Sequence, residues 1–192
     1  MVILSRLFGS ELRVKMMRLF IFNPDKAFDV KYIEVKTGSR RREIEKEAAF
    51  LKKTGLVRTS RKKKVLIVSL DPKFKYLAPL SDFLVKTHSL ENRSVVKRIE
   101  KAGKIKAVVV SGIFTGQPDS RLDLFVVGDN VRSSSMDRIV KGIESDMGKD
   151  IRYAVLSAPD YAYRVSMNDK LIRDIVDYPH TVLLDKIGIV HS

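Results

Sequence analysis

Apolar residues recur at helical spacing through the first third of the chain. Residues 5–23 have leucine and methionine at intervals of three to five, which predicts an amphipathic helix. Either Ser5 or Ser10 is suited to cap it. Pro24 ends the pattern, because the residue before a proline avoids helical backbone angles.

The same spacing continues in two further segments. Residues 27–38 predict a short second helix that stops at Gly38. Ser39 is a candidate cap for a third helix over residues 40–55, with Ile44, Ala48 and Leu51 on its inner face. The short, glycine-containing connection between the second and third helices is typical of a helix-turn-helix.

The pattern then changes from helix to strand. Residues 56–59 and 65–70 predict two strands joined by the basic tip Ser60–Lys64, which together form a hairpin. Residues 74–89 predict a linker helix interrupted at Pro79.

Beyond residue 89, helical and extended patterns alternate. Helices are predicted over 90–103, 133–148, 158–169 and 170–177, and strands over 104–112, 122–128, 150–157 and 179–188. The expected fold class is α+β, with a first domain over 1–75, a linker helix over 76–89 and a mixed-sheet α/β domain over 90–192.

Composition narrows the functional classes. The 192 residues include no cysteine, which excludes disulfides, thiolate metal sites and thiol nucleophiles. The apolar run at the N-terminus is broken by Arg6 and Glu11, and no stretch approaches the length of a membrane span. We therefore expect a cytoplasmic protein that does not use a membrane.

The net charge of +14 is unevenly distributed along the chain. Residues 1–75 contain 20 basic and 8 acidic residues, a balance of +12, whereas residues 76–192 contain 17 and 15, a balance of +2. This asymmetry indicates that the first domain binds a polyanion, with a merely basic, solvated surface as the alternative.

Three helices followed by a basic hairpin are the pattern of a winged helix-turn-helix. In that arrangement the third helix enters the major groove of DNA, where arginine can hold guanine or clamp phosphate. Cations at a helix N-terminus oppose the helix dipole, which favours a function for them. The candidate DNA-binding residues are Lys36, Arg40, Arg41, Arg42, Lys46, Arg61, Lys62, Lys63 and Lys64.

The glutamates of the third helix count against DNA binding. Glu43 and Glu47 are interpreted as partners of neighbouring lysines or as groups that exclude wrong sequences.

With their three helices and basic hairpin, the first 70 residues resemble the winged helices of small prokaryotic transcription regulators, some of which contact proteins instead of DNA. The resemblance implies a nucleoid-associated prokaryotic protein that binds double-stranded DNA.

The strand over 104–112 ends at Gly112, a loop with Gly116 follows, and the strand over 122–128 carries Asp123. With this pattern, residues 90–185 resemble the minimal nucleotidyltransferase domain of the DNA polymerase beta-like superfamily. That family has a strand, a Gly-Ser pair followed by a glycine, Asp-x-Asp on the next strand and a third acid on a later one. The pair of glycine and serine binds the triphosphate, and the acids hold two divalent metals for phosphoryl transfer.

Several positions of this chain depart from that pattern. The glycines match Gly112 and Gly116, but Ile113 replaces the serine and Arg121 replaces the first acid, with Asp123 as the second. The strand over 150–157 offers Arg152 and no internal carboxylate. We therefore expect a degenerate nucleotide site with no catalytic residues, no metal and no cofactor.

The magnitude of the charge change supports this expectation. An intact site presents about three negative charges, and a unit charge at 4 Å is worth roughly 4 kcal/mol at an effective dielectric near 20. Replacing acids by arginines therefore removes tight metal binding. Two alternatives remain for Arg121: it binds an anion together with Arg152, or it pairs with Asp123 or Asp119.

The sequence thus predicts a DNA-binding transcriptional regulator that acts as a homodimer. Its second domain is expected to serve dimerisation or the sensing of an anionic ligand or protein partner. One alternative is an active nucleotidyltransferase whose winged helix recruits a nucleic-acid or protein substrate. Another is a structural protein that organises DNA without regard to sequence.

Overall fold

The computed structural model describes residues 2–89, 92–116 and 120–189, and it contains both helices and two β-sheets. The chain divides into two compact units. Unit 1 comprises residues 1–84 and 143–149, and unit 2 comprises residues 85–142 and 150–192. Over the described residues, no helix is both long enough and apolar enough to cross a membrane.

Five α-helices and three strands lie within the described residues 2–89. The helices are α1 (Val2–Phe8), α2 (Glu11–Ile21), α3 (Val30–Thr37), α4 (Arg41–Lys53) and α5 (Leu77–Ser89), and the strands are β1 (Ala27–Asp29), β2 (Val57–Lys62) and β3 (Val65–Leu70). The strands form an antiparallel sheet in the order β1-β3-β2. Its inner face, which includes Val68 of β3, packs on apolar side chains of α2, α3 and α4, including Phe20, Ile33 and Ile44.

The predicted single helix over 5–23 is two helices, α1 and α2. Gly9 has a positive φ of 76°, and Ser10 begins α2 by accepting the amide hydrogen of Arg13 at 3.2 Å. Glycine adopts such backbone angles without a steric penalty. Of the two predicted caps, Ser10 is thus the one that starts α2.

The predicted start of the second helix at residue 27 was wrong. Ala27–Asp29 form β1, and Phe28 is paired with Val68 of β3. The Asp29 carboxylate then caps α3 by accepting the amide hydrogen of Tyr32 at 2.7 Å. Three residues are too few to show a strand period, so only pairing with β3 identifies this strand.

The predicted interruption of the linker helix at Pro79 was also wrong. α5 runs from Leu77 to Ser89 without a break, and Pro79 lies in its first turn. An amide hydrogen at that position has no partner within a helix, so proline is tolerated there.

The described residues from 92 onward contain four α-helices and four strands, and the strands form a second sheet. The helices are α6 (Asn92–Ile99), α7 (Ser133–Met147), α8 (Ala158–Ser166) and α9 (Lys170–Val176), and the strands are β4 (Lys104–Val110), β5 (Leu124–Asp129), β6 (Tyr153–Leu156) and β7 (Thr181–Asp185). The strand order is β6-β5-β4-β7. β4 pairs antiparallel with β5 and with β7, whereas β5 and β6 are parallel and are joined by α7.

The two central strands of this sheet are buried on both faces. Ala107, Val109, Phe125 and Val127 pack on one face against apolar side chains of α8 and α9. The alternate residues, among them Val108 and Val126, are also buried. Strands covered on both sides carry continuous apolar runs, which is why β4 and β5 were easy to predict.

Candidate functional site

The outward face of α4 is basic. Ile44, Glu47, Ala48 and Leu51 are buried at helical spacing, and the opposite stripe therefore consists of Arg42, Lys46, Ala49 and Lys53. Arg42, Lys46 and Lys53 are exposed. The predicted residues Arg42 and Lys46 therefore lie one turn apart on the same face.

The N-cap residue of α4 is Arg40 and not Ser39, the cap expected from the sequence. Arg40 is also one of the residues predicted to contact DNA. The Glu43 carboxylate accepts the amide hydrogen of Arg40 at 3.1 Å, which is half of a capping box. Ser39 instead donates its amide hydrogen to the hydroxyl of Thr37 at 3.3 Å. The Arg40 side chain remains exposed beside the first turn.

Arg41 pairs with Glu45 within the same helix. The Nε of Arg41 donates to Oε1 of Glu45 at 2.8 Å, and this hydrogen bond raises the pKa of Arg41 above its ordinary value. Both side chains are substantially exposed, at 62% and 43%. In this pair the Nε edge of the Arg41 guanidinium group faces Glu45, and the Nη edge does not contact it.

The two other glutamates of α4 have structural partners, so their predicted pairing with lysines was wrong. Glu43 closes the first turn, and Glu47 is largely buried. The Nε of Arg13 donates to Oε2 of Glu47 at 2.9 Å, and the Arg13 guanidinium lies 3.7 Å from the centre of the Phe50 ring. The position of Glu47 on the apolar face of α4 is the sequence signal that a buried partner was needed.

Lys36 lies at the end of α3, just before the turn at Gly38. It is half-buried, and its ammonium group lies 5.9 Å from the centre of the Tyr32 ring. Tyr32 is in turn stacked on Phe28, with ring centres 4.6 Å apart. A cation over an aromatic face is attracted to it, so Lys36 is partly held by the protein itself.

The basic hairpin is longer and its tip is tighter than predicted. β2 extends to Lys62, which pairs with Val65, so the turn consists of Lys63 and Lys64 alone. Both have positive φ values, 48° and 67°. Arg61 and Lys62 are strand residues that point to opposite faces of the hairpin. All four cations are exposed.

Asp123 of the predicted nucleotide site is buried, with 1% of its surface exposed. Its Oδ1 accepts the amide hydrogen of Ile113 and an Nη2 hydrogen of Arg152, both at 3.0 Å. Its Oδ2 accepts the amide and Nε hydrogens of Arg152, both at 2.9 Å. Four hydrogen bonds thus occupy the lone pairs that a metal ion would need.

Gly112 is required by this arrangement. It has a φ of 55°, and a Cβ atom at this position would lie 2.1 Å from Oδ1 of Asp123. Residues Gly112–Phe114 form one turn of 3₁₀-helix, and the amide of Ile113 donates to Asp123. Gly116 also has a positive φ, 75°, but a Cβ atom there would meet only Cγ1 of Val85, at an ordinary contact distance of 4.0 Å.

Arg152 lies directly beside Asp123, and each residue immediately precedes one of two neighbouring strands. Leu124 and Tyr153 are paired in the parallel β5–β6 ladder, and the residues before them are Asp123 and Arg152. The hydrogen bonds to Asp123 raise the pKa of Arg152 above its ordinary value. The guanidinium group of Arg152 therefore stays positively charged beside the carboxylate of Asp123.

Arg121 has a different partner from those predicted. Its Nη1 lies 3.4 Å from Oδ2 of Asp174 in α9, and 57% of its side chain is exposed. The expected pair with Asp123 was therefore wrong, and Asp119 lies outside the described residues. Each of the two arginines that the sequence suggested as an anion-binding pair is therefore paired with an aspartate, Arg152 with Asp123 and Arg121 with Asp174.

The structure also contains an open cleft in unit 2 of about 600 Å³ that sequence reasoning missed. It is lined by residues of β6, of α7 and of the end of β5 with the loops that follow the two strands, among them Asn130, Ser133, Tyr153 and Ser157. Within the described parts of the chain, no group of three or more histidine, cysteine, aspartate or glutamate side chains is arranged to hold a metal ion.

No protein-family model matches this chain, and neither the curated proteins nor the solved structures contain a significant match.

Proposed function

We propose that the protein is a sequence-specific regulator of transcription that binds double-stranded DNA through a winged helix-turn-helix in unit 1. The observation that carries this proposal is the exposed basic stripe of α4, because a stripe of cations opposite the buried face is what a helix needs to enter the major groove. α3, the turn at Gly38 and α4 would form the helix-turn-helix, and β2 with β3 the wing.

Two further observations support DNA as the partner. Both the outward face of α4 and the hairpin tip belong to unit 1, which carries most of the excess positive charge of the chain. Moreover, the acids Glu43 and Glu47 serve the fold of unit 1. They therefore do not oppose an approaching phosphate backbone as strongly as their number in the sequence indicates.

We propose that unit 2 is a nucleotidyltransferase-like domain that has lost catalysis. Supporting this are the alternation of helices and strands from α6 to α8 and the placement of Gly112 beside Asp123. Arg152 stands where a neighbouring-strand acid would have helped to hold metal, and its guanidinium neutralises Asp123.

The role left for unit 2 is dimerisation or the sensing of a ligand or protein partner. The 600 Å³ cleft gives ligand sensing a specific location away from Asp123. We propose a homodimer because winged helices commonly read two half-sites related by two-fold symmetry. The regulator would act on the nucleoid in a prokaryotic cytoplasm.

The proposal is tested with the full chain and duplex DNA at several salt concentrations. Arg42→Ala/Lys46→Ala is compared with Lys73→Ala/Lys75→Ala, since both remove two exposed positive charges from unit 1. We expect the α4 variant to flatten the slope of log K against log salt by about 0.9 for each lost phosphate contact, and the control to change it little. Equal effects of the two variants, or no salt-dependent binding by the wild type, would contradict the proposal.

Selection of bound fragments from genomic DNA separates a regulator from a generic DNA-organising protein. We expect the wild type to enrich a defined sequence motif. Enrichment without a motif would indicate binding to the phosphate backbone alone.

A further inference from the structure

The ion pair between Arg41 and Glu45 has a geometry suited to reading a base. The contact uses the Nε of Arg41, at 2.8 Å from Oε1 of Glu45. The terminal edge formed by Nη1 and Nη2 is the edge with which arginine can contact O6 and N7 of guanine in the major groove. A guanidinium group held in one plane loses less rotational freedom when it makes that contact.

Stability alone does not account for Glu45. Unlike Glu43, it does not cap the helix, and unlike Glu47 it is not buried. Its pair with Arg41 is largely exposed, and exposed pairs contribute little to folding. An acid near a surface that meets phosphates also weakens binding to DNA of any sequence.

The position of the pair on α4 fits a contact with bases. Arg41 is the first residue of the helix, and Glu45 lies one turn further on beside the outward stripe of Arg42 and Lys46. In a helix-turn-helix, residues near the N-terminus of the second helix are those that reach base edges.

We propose that Arg41 contacts a guanine and that Glu45 is a positioning residue that sets this specificity by orienting the guanidinium group. The inference rests on the proposed function, since it requires α4 to lie in the major groove. It divides the basic residues of α4 into two kinds: Arg41 distinguishes bases, whereas Lys46 contacts phosphate.

The test is selection by the full chain from a duplex library with a randomised core of about 20 base pairs, long enough for two half-sites. Wild type is compared with Arg41→Ala, Glu45→Ala, Glu45→Gln and the matched control Glu11→Ala. Glu11 is an acid in the first turn of α2, and it forms an i,i+4 pair with Lys15 at 2.8 Å. Its removal changes the charge of unit 1 by the same amount as removal of Glu45.

We expect one guanine position per half-site to lose its preference in Arg41→Ala, by about 5- to 150-fold, the range for one bidentate contact. In Glu45→Ala the preference at that same position should fall about three- to tenfold, while affinity for random DNA rises as an acid is lost. Glu45→Gln, which retains an oxygen acceptor, should keep part of the preference, and Glu11→Ala should keep all of it.

Three outcomes would overturn the inference. If Glu45→Ala retains the wild-type guanine preference, or if Glu11→Ala lowers it equally, Glu45 does not position Arg41. If every position of the motif weakens together in Glu45→Ala, the glutamate acts on the whole helix and not on one base. A wild-type protein that selects no sequence would overturn the proposed regulator and this inference with it.

Discussion

Replacing Arg152 by methionine tests whether this arginine neutralises a buried carboxylate. The substitution keeps an unbranched apolar stem but removes the guanidinium group and its two hydrogen bonds from Nε and Nη2 to Asp123. The two backbone amides remain as donors, from Ile113 and from residue 152 itself. Asp123 would then remain buried with half of its hydrogen bonds.

The expected loss of stability follows from these contacts. A hydrogen bond to a charged group is worth about 1.5–3 kcal/mol, and removing one partner of a buried ion pair costs about 3–5 kcal/mol. Because 49% of the Arg152 side chain is exposed, water can reach part of the vacated space. We therefore expect the free energy of unfolding of unit 2 to fall by about 2–3 kcal/mol, below the range for a fully buried pair.

The matched control is Arg121→Met. Its pair with Asp174 is longer, at 3.4 Å, and more exposed than the pair of Arg152 with Asp123. The expected cost for such a surface pair is about 0–1 kcal/mol. Arg152→Lys, which keeps a positive charge but loses the planar fork, should fall between the wild type and Arg152→Met.

Hydrogen exchange of the β5 and β6 amides measures the free energy of opening within unit 2. Thermal unfolding followed by circular dichroism provides a second measure, with an expected drop of about 10–20 °C for a domain of roughly 100 residues. Equal effects of Arg152→Met and Arg121→Met would refute the reasoning. They would show that solvent or the backbone amides already satisfy Asp123.

Two further predictions concern the wing and a surface carboxylate. Lys63→Asn/Lys64→Gly should raise the free energy of unfolding by about 1 kcal/mol or more, because Asn-Gly suits two successive positive φ values. The same variant should weaken binding to all DNA sequences alike in a salt-dependent titration. A hydrogen bond from Lys106, followed by one from the amide of Ala158, lowers the pKa of Asp129. The contribution of Asp129 to folding stability should therefore be present above a pH of about 3.9, the ordinary aspartate value, and be lost as the pH falls below it. In acid unfolding, Lys106→Met should lose less stability over that range than the wild type.

Each of these predictions has a contrary result. A turn variant that is less stable than the wild type would show that the two lysines are not strained. Unchanged DNA affinity in the same variant would remove the tip of the hairpin from the proposed interface. Parallel acid-unfolding curves for wild type and Lys106→Met would show that the lysine does not govern the titration of Asp129.

Local sequence patterns determined many elements and the basic face of α4. Helices α4 and α7 and strands β4 and β5 were predicted because their apolar residues repeat at the period of the structure that they form. The charge of the first 75 residues and the replacements at 113 and 121 are also properties of the sequence alone.

Only the tertiary structure decided which residues are partners. Ala27–Asp29 are a strand because β3 lies beside them, and Glu47 is paired with an arginine 34 residues away. Likewise, Ile143–Lys149 belong to unit 1, where Arg18 donates from Nη1 to the carbonyl oxygen of Asp146 at 2.8 Å. Contacts between distant parts of the chain leave no periodic signal in either segment.

The site at Asp123 shows the same division. The sequence showed that the strand predicted over 150–157 has no carboxylate inside it, but it left open whether Asp123 would pair with Arg121 or lie free for a ligand. The parallel register of β5 and β6 places Arg152 beside Asp123, whereas Arg121 forms an ion pair with Asp174. Residue types are local properties of the chain, whereas the distance between two charges depends on how strands pair, and this distance decides whether a carboxylate binds a metal or an arginine.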